Sequence, residues 1–189
     1  MGDLRTHYSP TIDDLLRDER LAPLGPGTAN AGARADLTAL TDETLLAPHP
    51  LRDSDMAAAC RAGLWLYHDF LDESHSISQE IHTTTGSYWH GLMHRREPDY
   101  GNSKYWFRRV GTHPVFEPLH AAAAELAADD AHPSAAFLGK QARWDPFAFV
   151  DLCEAVASDR SPCEMLCRRI QQREWVLLFD YCWHEANGR

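Results

Sequence analysis

The chain has 189 residues, 44% of them hydrophobic, which suffices for one substantial core and is short for two full domains. Lys and Arg number 18 against 28 Asp and Glu, a formal net charge of −10, so general attraction to nucleic-acid phosphates or anionic lipid is disfavoured. No apolar run reaches the ~18–20 residues that span a bilayer, and MGDLRTHYSP lacks the basic start and apolar middle of a secretion signal, so a cytoplasmic protein without membrane association is expected.

In chain order, the helical period dominates. SPTIDDLLRDE offers Ser9 as an N-cap and Pro10 at the first helical position, so a short helix follows. LAPLGPGTANAGARA, rich in Pro, Gly and small residues without a period, predicts an irregular segment that wraps the body. A weak helix is expected from Asp36 to Leu46, before APHP breaks it. Residues 1–50 therefore read as an irregular wrapping segment, and residues 51–189 as a helical bundle. From Ser54, SDMAAACRAGLWLYHDFLDESHSISQEI contains no Pro and predicts one long helix ending near Ile81. Shorter helices are expected from Ser87 to Glu97, stopped by Pro98, and from Asn102 to Val110, stopped by Gly111. The Ala-rich PVFEPLHAAAAELAADD, then DPFAFVDLCEAVASD, then a long last helix opened by Ser161 and Pro162 complete an all-α, single-domain bundle. No alternating strand pattern, hairpin signal or internal repeat competes.

Cys60, Cys153, Cys163, Cys167 and Cys182 are odd in number and lie mostly in apolar helical surroundings, which fits reduced, buried thiols better than a disulfide framework. Cys163 and Cys167 share a helix face, but zinc knuckles use shorter spacings and further ligands. Two stretches, GLWLYHDFL and WVLLFDYCW, are apolar nearly all round, so both helices should cross the interior. Their few polar residues then carry information, because buried charge is costly unless paired, hydrogen-bonded or bound to a metal. On a straight helix His68, Asp72 and His75 fall in one stripe about 60° wide, continued by Gln79. Asp180 and His184 are likewise one turn apart.

The densest functional stretch is SYWHGLMHRREPDYGNSKYWFRRVGTHP, Ser87 to Pro114. His90, His94 and Glu97 stand at i, i+4 and i+7, beside the apolar Trp89 and Met93, so the imidazoles face the protein. Two His one turn apart can both reach one divalent ion, zinc, iron or manganese, at about 2.0 to 2.1 Å in the case of zinc. Three ligands from one straight helix are awkward, so His68 and His75, with Asp72, are expected to complete the set from the facing helix. The alternative is that each buried His only hydrogen-bonds a carboxylate or carbonyl.

Downstream, Asn102, Tyr105, Arg108 and Arg109 suit a small polar or anionic molecule, since guanidinium forks grip carboxylate or phosphate and aromatics offer flat faces. Arg95 and Arg96 add to a locally basic segment, unless carboxylates such as Glu97 and Asp99 neutralise them. The same segment resembles a stretch of bacterial and fungal proteins of similar size, over Gly63 to Leu119, and that resemblance implies no activity. The paired Glu-x-x-His of ferritin-like di-iron bundles is missing. The expectation is a metal-dependent enzyme of hydrolase, isomerase or oxygenase type: Glu97 as ligand or base, Asp72 beside the ion and His113 as a further acid or base. A metal-free enzyme using His90 or His94, and a non-enzymatic binder using the Arg and aromatic cluster, are the alternatives.

Overall fold

Hydrogen-bonding side chains open most of the helices in the computed structural model, which describes residues 8–128, 132–159 and 162–188. Ser9 Oγ accepts from the Ile12 N–H to start α1 (Pro10–Leu15). Helix α2 (Arg34–Ala39) is followed by α3 (Asp42–Leu46), which Thr41 and Thr44 cap reciprocally. Asp53 caps α4 (Ser54–Tyr67), and α5 (Leu71–Ser78) follows after a break. Thr83 caps α6 (Thr84–Arg96) and Asp99 caps α7 (Tyr100–Val110). Three further helices, α8 (Phe116–Ala128), α9 (Pro146–Asp159) and α10 (Glu164–Asn187), complete the all-α order, with no strand among the described residues. The expected cap at Ser161 lies outside the described residues; the N-cap position of α10 is Cys163. None of these helices is long and apolar enough to cross a membrane.

The core forms around α10, which packs on α3, α4, α8 and α9. Leu178, Phe179, Cys182 and Trp183 are wholly buried there, as the all-round apolar pattern requires. The indole of Trp175 donates to the Gly63 carbonyl at 2.9 Å, and that of Trp89 to Cys182 Sγ at 3.3 Å, so large aromatics enter the core with their polar edges engaged. All five cysteines are buried and unbridged.

Two expected helices divide in the structure. The one expected at Asp36 to Leu46 is two helices, with Leu40 extended between them. The long one from Ser54 breaks at His68–Phe70, where no Gly or Pro marks a stop. Asp69 takes φ +62°, a left-handed conformation costing about 1–2 kcal/mol in most L-residues and least in Asn and Asp. Its buried carboxylate accepts from Arg20 Nη2 at 2.7 Å and from Arg96 Nη2, so long-range ion pairs, absent from any local pattern, hold the break.

Arg96, with Arg168 of α10, also holds the irregular segment. Arg96 donates to the carbonyls of Gly25 and Pro26 at 2.8 and 3.2 Å, and Arg168 to those of Leu21 and Ala22 at 2.6 and 3.1 Å. Gln171 reaches the Pro23 carbonyl at 3.1 Å, and the Tyr67 hydroxyl donates to that of Asp18, also at 3.1 Å. A strap without regular structure lies on the helices because side chains satisfy its backbone. Gly27, at φ +77°, passes so close that a Cβ there would stand 2.7 Å from the Asp69 carboxylate.

Deeper still, Arg95 on α6 meets Glu174 on α10 at 2.5 Å, both about 1% exposed or less, and the Tyr88 hydroxyl donates to the other carboxylate oxygen at 2.9 Å. The pair is hydrogen-bonded and lies over the Phe149 ring at 4.8 Å. Replacing Glu174 with Ala strands the Arg95 charge and should cost about 3–5 kcal/mol, read from urea denaturation. The paired replacement Arg95→Met with Glu174→Leu should recover most of that loss; a Glu174→Ala variant of unchanged stability would contradict the arrangement.

Candidate metal centre

Helix α6 places His90 and His94 on one face one turn apart, and α5 brings His75 against them. Ring centroids are 4.5 Å apart for His75 and His90, 5.4 Å for His75 and His94, and 4.8 Å for His90 and His94. One nitrogen from each ring falls within 4.8 Å of the others. In a tetrahedral zinc site, nitrogens about 2.0–2.1 Å from the ion stand roughly 3.3 Å apart, so ring movements of about an ångström would close this set on one ion.

The neighbours favour donor geometry. His94 Nδ1 lies 3.1 Å from Glu97 Oε2; with the proton on Nδ1, donated to the carboxylate, Nε2 carries the free lone pair. His90 is buried, its Nδ1 has no hydrogen-bond partner, and its ring stacks on Trp106 at 3.9 Å and 24°. That stacking needs α6 and α7 to lie close. Gly91 permits it: a Cβ would meet the Phe107 ring at 3.2 Å, and Ser103 Oγ donates to the Gly91 carbonyl at 2.8 Å.

Burial favours the neutral form of His90 and His94. Burial, reinforced by His75 and His94, pushes the His90 pKa down to about 3. His94 is also lowered, chiefly by burial, with Glu97 opposing. Metal binding needs neutral imidazole, so at neutral pH His90 has no proton to lose.

Other expected members stand elsewhere. His68 is the C-cap of α4 at the break, and its Nδ1 lies 3.1 Å from Asn30 Nδ2 of the strap, outside the three-imidazole group. The straight-helix stripe that joined it to His75 does not survive the left-handed Asp69. Asp72 is exposed in the first turn of α5 and belongs to neither group of close ligand atoms among the described residues. Glu97 is engaged with His94, and a second group joins those two residues to Asp99. Asp99 already caps α7, accepting from the Asn102 N–H and side-chain amide, each at 3.1 Å.

Asn102 is thus tied to that cap. Tyr105, Arg108 and Arg109 are exposed on α7; Arg108 lies over the Tyr105 ring at 5.9 Å and Arg109 over Trp106 at 5.2 Å, which brings Arg109 to the ring that covers His90. Arg95 and Arg96 are not part of a basic surface: both are buried and paired with Glu174 and Asp69.

His113 is buried and its nitrogens are engaged. Nδ1 accepts from the Val115 N–H at 3.3 Å, so Nε2 carries the proton and faces Thr85 Oγ1 at 3.2 Å. Thr85 and Tyr88, which it touches, lie about 120° or more around α6 from His90 and His94. His113 therefore stands on a different side of α6 from the imidazole pair. Sequence reasoning missed the pairing of Trp106 with His90 and that of Arg95 with Glu174; their partners lie at separations that no helical spacing encodes.

No family model, curated protein or solved structure matches the chain. The reading of the site rests on its own residues.

Burial lowers His113 to about 4 and also depresses His68. Below about pH 6.5 the unfolded chain takes up protons that these folded rings refuse, so stability is full above that pH and falls as it drops towards 4. The slope is at most about 1.4 kcal/mol per pH unit for each such ring. Urea midpoints should be level from pH 7 to 8 and decline from 6.5 to 5, less steeply in His113→Asn. Equal slopes in the variant and the parent would contradict the assignment.

Proposed function

We propose that the protein is a metal-dependent enzyme acting on a small polar or anionic molecule, with His75, His90 and His94 as ligands to one divalent ion between α5 and α6. The observation that carries this reading is the convergence of three imidazoles from two helices, with ligand atoms inside 4.8 Å. Three protein ligands leave a coordination position for water or substrate. A bound ion would supply Lewis acidity and a water of lowered pKa; zinc, iron and manganese are all compatible with imidazole donors.

The chain's own residues then have distinct roles. Glu97 holds the His94 tautomer by accepting its Nδ1 proton. Trp106 covers one face of His90 and limits water there. Arg109, over the Trp106 ring, offers an exposed guanidinium for a substrate carboxylate or phosphate. Asp72 and His113 take no part in this arrangement.

A metal-free enzyme with His90 as general base is less well supported. A base held near pKa 3 drives proton abstraction poorly at neutral pH, where catalytic bases work best with a pKa close to 7. A binder built on the arginine and aromatic segment loses Arg95 and Arg96 to internal pairs, which leaves Arg108 and Arg109 to carry it.

Metal analysis of protein purified without a histidine tag tests the proposal, together with titration of chelator-stripped protein with cobalt(II), whose visible absorption reports coordination. One ion per chain is expected, with affinity falling at least tenfold in each of His75→Ala, His90→Ala and His94→Ala and unchanged in His68→Ala. Folded protein that takes up no zinc, iron, manganese or cobalt would refute it.

A further inference from the structure

Away from the imidazoles, a groove of about 630 Å³ runs between α8, α10 and the strap. That volume lies within the ~300–1,000 Å³ of small-molecule sites. Its composition is split. Leu21 of the strap, Leu126 of α8, and Met165 and Val176 of α10 form the apolar walls, and Met165 is 52% exposed, an unusual state for a large apolar side chain beside a groove.

The polar side is made of donors. Met165, Arg169, Arg173 and Val176 follow one face of α10 at i, i+4, i+8 and i+11, so the two guanidiniums stand one turn apart between the two apolar side chains. Neither Arg169 nor Arg173 has an ion-pair or hydrogen-bond partner among the described residues, whereas neighbouring Arg168 is spent on the strap and Glu164. Gln172, also lining the groove, has a buried amide nitrogen with no acceptor. Glu19 and Glu125 line the groove as well but stand beyond ion-pair distance of both arginines. On an acidic chain, two unspent guanidiniums and an unmet amide donor beside an apolar trough call for acceptor oxygens joined to a hydrocarbon body.

We infer that this groove is a binding site for an amphiphilic organic anion, whose carboxylate or phosphate is gripped by Arg169 and Arg173 and whose apolar portion lies along Leu126, Met165 and Val176. The site is separate from the three imidazoles and does not depend on their binding a metal. Carboxylate and phosphate heads share the fork geometry that guanidinium recognises, so the head group is left to the measurement.

Decanoate, decyl phosphate and neutral decanol, each below its micellar concentration, can be titrated calorimetrically into the full chain. One anion per chain is expected, with decanol at least tenfold weaker, and with a raised melting temperature for the anion-bound protein. The tighter of the two anions names the head group. Arg169→Ala with Arg173→Ala should weaken both anions at least tenfold while the unliganded melting temperature stays unchanged, as suits exposed side chains. Val176→Asp should abolish binding of the hydrocarbon body, and His90→Ala should leave it unaltered. Absence of binding by both anions, binding of decanol equal to theirs, or full affinity in the double arginine variant would each overturn the inference.

Discussion

The carboxylate of Asp69 is the constraint on which the rest of the arrangement depends. It sits in a left-handed residue between α4 and α5, and it accepts from Arg20 of the strap and Arg96 of α6. Three parts of the chain that share no local pattern are thereby joined at one buried charge. A buried carboxylate is tolerated there because two guanidiniums compensate it, and each guanidinium is further satisfied by backbone or side-chain acceptors. Without the break, α5 would continue the line of α4, and His75 would share a face with His68. With it, His75 is delivered to His90 and His94.

An acidic chain has also placed its cations selectively. Arg20, Arg95, Arg96 and Arg168 face inward or onto the strap, where they neutralise Asp69 and Glu174 or bind carbonyls. The local basicity of the segment around Arg95 is thus a feature of the primary structure that folding cancels. Others stay outside: Arg108 and Arg109 near the imidazole cluster, Arg169 and Arg173 on α10, and Arg17, Arg34, Arg52, Lys140 and Arg143 elsewhere on the surface. On a chain of net charge −10, an exposed guanidinium without an acidic partner is more informative than it would be on a basic protein.

How much was legible in the sequence follows the range of the forces involved. Helix type, the interior course of GLWLYHDFL and WVLLFDYCW, and the caps at Ser9 and Gly111 all depend on neighbours within a few residues, and these appear in the structure. The inward face shared by His90 and His94 is likewise a matter of helical spacing. The break at Asp69 is different, since ion pairs with residues 49 and 27 positions away hold it, and a stretch with no Pro, and no Gly at the break itself, therefore reads as continuous. A straight-helix reading of that stretch therefore groups His68 and Asp72 with His75, and the break separates them. Residue type alone marks His113 and Asn102 as candidates, and each is engaged locally, by the Val115 amide and by the cap of α7.

The strap has a temporal consequence. Arg168 binds the carbonyl of Leu21 across 147 positions, and Tyr8 donates to Asp180 across 172. Loop closure over such spans comes late relative to local helix formation. During synthesis the strap leaves the ribosome well before the helix it rests on, so its apolar residues, Leu21 and Leu24 among them, must wait in solvent until that helix emerges. Docking of the strap therefore waits for the synthesis of α10, more than a hundred positions downstream.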